Sequence, residues 1–429
     1  MAFVETARTV IPLNAFPNPS PVTVIMQRGC SSIYGPRRAA LLIRLAFLFV
    51  SAAGLSGCLS PMALDHLAIA YNESSADVMS KQLLLNIARA RFNHPIYFSG
   101  ISNIAATLDF QANAGATPPF TGNNGTTLMP IFGGSVSENP TISIVPMEGE
   151  QFTQRLLTPI SEDKLALLLR QNIDVDLLLR LVALEFRTHG EQAVYHNRPR
   201  NRRDYAAFRR IVLHLSSIQD RDQLYAEPLI LERHWTLPVE AVSGKAFRDL
   251  EQEYSITLDP NKPIYHLTKR IVGRTVLTNY DPLLLRNEER IQLNEEAEKN
   301  APNDLLVDVR PGYPGGEFPL HGKFRLRSFS NILYFIGRTL AAEPEWDVPK
   351  DPRTPPVAEN PVSVLEITES SRPPSDADVV VNYRGRYYAV RPSCGSAWNQ
   401  TAFRVLSQIF QMTVTELPKP GVPSITIAK

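Results

Sequence analysis

The side chains able to do chemistry lie far apart along this chain. Its eight histidines are scattered, and no two share the i, i+3 or i, i+4 spacing that puts a pair of metal ligands on one helix face. A metal or nucleotide site would have to be assembled from distant residues, so no metal ligand and no cofactor is assigned from the sequence. Ser161-Glu162-Asp163-Lys164 has the Ser-x-x-Lys spacing that sets a lysine one helical turn from a serine nucleophile. Neither Lys-Thr-Gly nor Ser-Asp-Asn accompanies it, and Ser161, after Pro159, has a simpler role as a helix N-cap. Cys394, near Arg391 and Trp398, would need a lowered pKa and a nearby histidine to act as a nucleophile, and a lone cysteine is otherwise a small buried hydrophobe. Gly-x-Ser-x-Gly, His-Glu-x-x-His, Gly-x-Gly-x-x-Gly and Gly-x-x-x-x-Gly-Lys are all absent. No catalytic residue is therefore singled out.

The strongest charge feature is a run of arginines. Arg198, Arg200, Arg202, Arg203, Arg209 and Arg210 stand against a single Asp204. Guanidinium groups fork onto phosphates and carboxylates, which makes the run a candidate anion-binding surface. The alternative is a solvated loop entering a helix, neutralised by Glu288, Glu289, Glu295, Glu296 and Glu298.

Composition narrows the class. The 429 residues are 44% hydrophobic and 20% charged, with a formal net charge of +1, which excludes a coiled coil or a wholly disordered chain. Near-zero charge gives no global pull toward nucleic acid or an anionic membrane, so any such attraction must be local. Three cysteines cannot build a disulfide scaffold.

One stretch, Leu45 to Leu55, is strongly apolar and follows Arg37, Arg38 and Arg44. At about 11 residues it is too short to span a bilayer as a helix, which takes about 20, and its basic flank and small-residue end have the pattern of a secretory signal peptide. It runs into Leu55-Ser56-Gly57-Cys58, which resembles the lipobox of bacterial lipoproteins. That resemblance implies acylation of Cys58, cleavage between Gly57 and Cys58, and export by general secretion. The segment before Arg37 is longer and richer in proline than a usual leader, which makes Met26 a candidate start. Leu59 and Ser60 follow the cysteine in place of the aspartate that retains lipoproteins at the inner membrane, so the resemblance implies an outer-membrane anchor facing the periplasm. Two or more acyl chains hold a soluble body stably without any spanning helix. Cys30 would leave with the leader, and Cys394 would have no intramolecular partner.

The elements that must position these residues read as α+β: a helical N-terminal half with a β-hairpin arm, then a mixed half. Residues 1–57 are read as signal peptide with an extension, and 58–72 as anchor and tether. A mainly helical domain follows over 73–222, with an arm near 104–145 formed by two alternating runs around a Gly/Asn-rich tip, Asn113 to Gly134. Within it, Asp174 caps a helix that carries Val175, Leu177, Leu178, Leu181, Val182 and Phe186 and stops near Gly190. A mixed region spans 223–343. Six prolines between Pro344 and Pro361 suggest a stiff linker or long loop, and 362–429 is read as a last α+β unit. In that unit a strand is expected over Val362 to Ile367, and a hairpin turning at Arg384-Gly385.

Five segments, Leu83 to Arg91, Glu138 to Ile142, Arg155 to Ile160, Arg327-Ser328-Phe329 and Tyr383 to Tyr388, resemble a set of bacterial envelope lipoproteins to which no activity is attached. The expectation is a membrane-anchored envelope lipoprotein with a structural, assembly or binding role, partnered by an envelope protein or by its own copies. The alternative is a periplasmic hydrolase acting on wall or glycan material. Nucleic acid is excluded by the compartment.

Overall fold

In a computed structural model the described residues are 68–117, 129–392 and 395–413. The chain divides into two units, Met1–Ile69 and Ala70–Lys429, and only the last two residues of the first are described. Among the described residues there are 9 helices and 12 strands in three sheets, an α+β fold. None of these helices is long and apolar enough to cross a membrane.

Helix α1 (68–91) leads into a long hairpin of β1 (Phe98–Thr117) and β2 (Met129–Met147). The two strands pair antiparallel from Phe98 with Met147 out to Thr117 with Met129, a ribbon of about 65 Å at 3.4 Å per residue. The pairing thus extends into the segment expected as the Gly/Asn-rich tip, and 118–128 lie outside the described residues. At the base of the arm Phe98 is fully buried and stacks on Phe410, ring centroids 4.3 Å apart.

Helices α2 (Glu150–Leu157), α3 (Glu162–Leu169) and α4 (Val175–Val182) follow. All eight residues of α4 are buried, as leucine and valine on every side require of a helix at the centre of a core. Asp174 caps it, accepting from the Asp176 N–H at 2.7 Å. The expected continuation to Gly190 is overturned, because α4 stops at Val182 and the chain runs straight on as strand β3 (Ala183–Thr188). Two side chains distant in sequence make that break. Asn197 donates to the carbonyls of Arg180 and Ala183, both at 2.9 Å, and the Arg327 guanidinium donates to those of Arg180 and Leu181, both at 3.1 Å. The last-turn carbonyls are thereby satisfied without further helix.

Strand β3 joins a seven-stranded sheet of order β4-β3-β9-β8-β7-β5, with β6 also on β7. The strands are β4 (Val194–His196), β5 (Tyr225–Pro238), β6 (Ser255–Leu258), β7 (Ile264–Thr278), β8 (Asp304–Val309) and β9 (Leu320–Leu326). All pairs are antiparallel except β7 with β8. Helices α5 (Arg202–Gln219), α6 (Gly244–Glu251) and α7 (Asn287–Glu298) lie between these strands in the chain, and α8 (Phe329–Thr339) follows β9. Strand β8 is buried along its whole length and alternates between two cores. Leu305, Val307 and Val309 enter the main core with α4, α5, α8 and Phe324, whereas Leu306 enters a smaller one with Leu229, Val276 and Leu293.

The last elements are β10 (Ile367–Ser370), β11 (Val379–Tyr383), β12 (Arg386–Val390) and α9 (Trp398–Thr413), and they contribute Val390, Leu406 and Phe410 to the same main core. The β11–β12 turn is the expected Arg384-Gly385, with φ of 53° and 77°, the left-handed pair of a two-residue type I′ hairpin. The expected strand from Val362 begins only at Ile367, since the backbone before it is already committed. Arg180 takes the carbonyls of Pro361 and Val362 at 2.8 and 2.6 Å, and the Val364 N–H donates to Glu345 at 2.7 Å. The Pro-rich segment 344–361 is packed down as a strap, with Glu345, Val348 and Thr354 buried.

Candidate functional site: an arginine-lined pocket

The arginine run splits into two environments. Arg198, Arg200, Arg202, Arg203 and Arg210 are exposed on the entry to α5 and its outer face. Arg209, expected with them as an anion ligand, faces inward and is buried, because α5 turns that position toward α4. It ion-pairs with Asp176 and donates to Asn360 Oδ1 of the strap at 2.7 Å. Arg209 is therefore taken out of the surface cluster.

Acids of α4 and the strap are taken up by Arg209 and by two arginines outside the run, Arg180 and Arg353. Arg180, wholly buried, bonds Glu345 at 2.7 Å and lies 3.7 Å from Asp176. Tyr205 donates to the same Glu345 oxygen at 2.8 Å. Asp351 is held down to about 2 by its hydrogen bonds from Arg353, with Arg210 adding to the pull. The carboxylates of α7, read as a counter-charge, turn elsewhere: Glu296 to His189 and His321, and Glu289 to Arg286. Arg202 instead stacks on Trp346, 5.5 Å from the ring centroid.

Beside this face lies a pocket of about 160 Å³ lined by Leu184, Arg198, Arg327, Asn331, Arg338 and Glu343, among others. Arg327 is 3% exposed and its guanidinium donates to backbone carbonyls, those of Arg180 and Leu181 and that of Asn197 at 2.8 Å. Its guanidinium lies 3.9 Å over the Phe335 ring. Burial pushes its pKa down to about 9; Glu345 opposes this, while Arg338 and Arg198 push it further down. Arg327 stays protonated at neutral pH, so a buried cation and two exposed ones share a small cavity with one carboxylate, Glu343. Such a site attracts a phosphate or carboxylate, which relieves the mutual repulsion and accepts charge-assisted hydrogen bonds at the mouth.

Sequence reasoning found Arg198 and missed Arg327 and Arg338. They are brought to it by the pairing of β3 with β9, which sets Ala183 opposite Leu326 just before Arg327. The Ser-x-x-Lys pair does not form a nucleophile and base. Lys164 Nζ donates to the Met412 carbonyl at 3.0 Å, and Ser161 stands at the N-cap position of α3 without a side-chain hydrogen bond to it. Gly57, Cys58 and Cys394 lie outside the described residues. Compared with family models, with curated proteins and with solved structures, the chain matches none.

Proposed function

We propose that the protein is a membrane-anchored envelope lipoprotein with a non-enzymatic binding or assembly role, held by an acylated Cys58, and that its arginine-lined pocket takes hold of a phosphate or carboxylate group of envelope material. The anchor rests on the basic flank, the short apolar run and Leu55-Ser56-Gly57-Cys58. The observation that carries the binding role is the convergence of Arg198, Arg327 and Arg338 on one cavity that holds a single carboxylate. The long hairpin supports an assembly role beside it. Its two strands pair only with each other among the described residues, which leaves both outer edges free to add a strand.

Two measurements test the proposal. Labelled palmitate enters the wild type and not Cys58→Ala, and equal labelling of the two sinks the anchor. Inorganic phosphate raises the unfolding midpoint of the wild type, because a ligand bound to the native state alone stabilises it by mass action. The double variant Arg198→Ala/Arg338→Ala loses that rise, and an undiminished rise refutes the pocket.

A further inference from the structure

A second cluster, away from the arginine pocket, joins His189 to three residues more than a hundred positions further along the chain. His189 follows β3, His321 lies on β9, Glu296 on α7 and Asp308 on β8. The register that pairs Thr188 with Gly322 puts His189 beside His321, and their ring centroids are 4.7 Å apart. Both rings then converge on one carboxylate oxygen. His189 Nδ1 is 3.0 Å and His321 Nε2 2.9 Å from Glu296 Oε1, and the three ligand atoms lie within 4.8 Å of one another.

We infer that His189, Glu296 and His321 form a binding site for a divalent first-row transition metal. Two imidazoles and one carboxylate are the donor set that such ions take, and hard magnesium or calcium would call for oxygen ligands alone. Metal–ligand bonds of about 2.0–2.2 Å place tetrahedral donors about 3.3–3.6 Å apart, so each nitrogen moves out from Glu296 by about half an ångström and the two imidazole nitrogens close on each other by about 1 Å, within reach of side-chain rotation. The far side of His321 supports the same reading. Its Nδ1 is 3.1 Å from Asp308 Oδ1, the carboxylate–histidine arrangement that fixes ring orientation and presents Nε2 to a metal. Asp308 is itself held, by the Tyr280 hydroxyl and Arg310 Nε, both at 2.6 Å.

The site is open on one side. His189 and Glu296 line a pocket of about 220 Å³ whose rim includes Lys299 and Lys323. Three protein ligands leave a position for water or an exogenous group. The side chains are 63% exposed at His189, 30% at Glu296 and 36% at His321, so an ion can enter without unfolding.

Titrating the full chain with Co²⁺ reads the site directly. The wild type takes up one equivalent with the visible d–d absorption of a histidine-ligated ion, and Zn²⁺ displaces it. His189→Ala at an exposed position and Glu296→Gln at a half-buried one, each with far-ultraviolet circular dichroism unchanged, lose that uptake. Asp308→Asn keeps the ligands and weakens affinity about 10- to 100-fold. Unsaturable uptake by the wild type, or an unchanged titration in either ligand variant, overturns the site. Unchanged affinity in Asp308→Asn overturns the supporting role of Asp308.

Discussion

Glu345→Ala should unlock the strap from the body, and the cost can be worked from its contacts. One carboxylate oxygen accepts from Arg180 Nε at 3.2 Å, Arg180 Nη2 at 2.7 Å and Tyr205 at 2.8 Å, and the other accepts from the Val364 N–H at 2.7 Å. Burial alone would raise its pKa, yet Arg180 and the Val364 and Tyr205 hydrogen bonds hold it below the usual carboxylate value. Alanine leaves Arg180 with 0% exposure and only Asp176, at 3.7 Å, as a counter-charge. Removing one partner of a buried pair costs about 3–5 kcal/mol. With a urea m-value of about 3 kcal/mol/M, that lowers the unfolding midpoint by roughly 1–1.7 M. A folded-state pKa below the unfolded one means stability that is full above pH 4.5 and lost as pH falls through the folded value, so the gap to wild type closes in acid. Arg180→Met/Glu345→Met, which removes both charges, should recover most of the loss. A cost below about 1 kcal/mol for Glu345→Ala, or a double variant as unstable as the two singles summed, would refute the reasoning.

Asp174 carries the opposite sign. Its pKa is raised to about 6 by burial, with Asp176 and Asp220 adding repulsion. The folded chain therefore holds a proton between pH 3.8 and about 6 that the unfolded chain releases, and stability falls as pH rises through that window. Asp174→Asn keeps a good cap and should add up to about 3 kcal/mol at pH 7 and almost nothing at pH 3.5, read by urea unfolding at both; equal effects at the two would contradict it. Gly322→Ala tests the β3–β9 register, since an added Cβ would sit 2.3 Å from the Arg187 carbonyl oxygen and 2.7 Å from the Phe186 ring. A loss of about 1–3 kcal/mol in thermal or urea unfolding is expected, and a variant as stable as wild type would show that the strands can part freely.

Local signals carried well and long-range ones did not. The Asp174 cap, the Arg384-Gly385 turn and the apolar enclosure of α4 are short-range properties, and each is present in the fold. The end of α4 was hidden because leucine and valine suit a buried strand as well as a buried helix. The residues that decide between them, Asn197 and Arg327, lie elsewhere in the chain. The prolines of 344–361 predict a stiff linker or long loop and carry no sign of its packing, which comes from Glu345, one carboxylate that bonds Tyr205 and Arg180, 140 and 165 positions away. Segments far apart in the chain also meet where no linear pattern announces it: Pro159 bridges to Ser328 and Arg91 bonds Tyr388.

The β3–β9 pair explains why both candidate sites escaped a linear reading. These two strands are antiparallel, so the start of one lies beside the end of the other. At one end Leu184 and Arg327 line the arginine pocket, and at the other His189 and His321 converge on Glu296. Six residues of strand put the two sites about 17–20 Å apart, on a ladder whose register Gly322 holds by admitting the Arg187 carbonyl. A one-residue slip would turn His321 to the opposite face of the sheet and draw Arg327 away from the carbonyls that end α4. Weak pairing here would therefore disturb anion binding, metal binding and the helix-to-strand junction together. Substitutions in the exposed ligands should instead affect one site and leave the other intact. That difference between joint and separate loss distinguishes a shared ladder from two independent surface features.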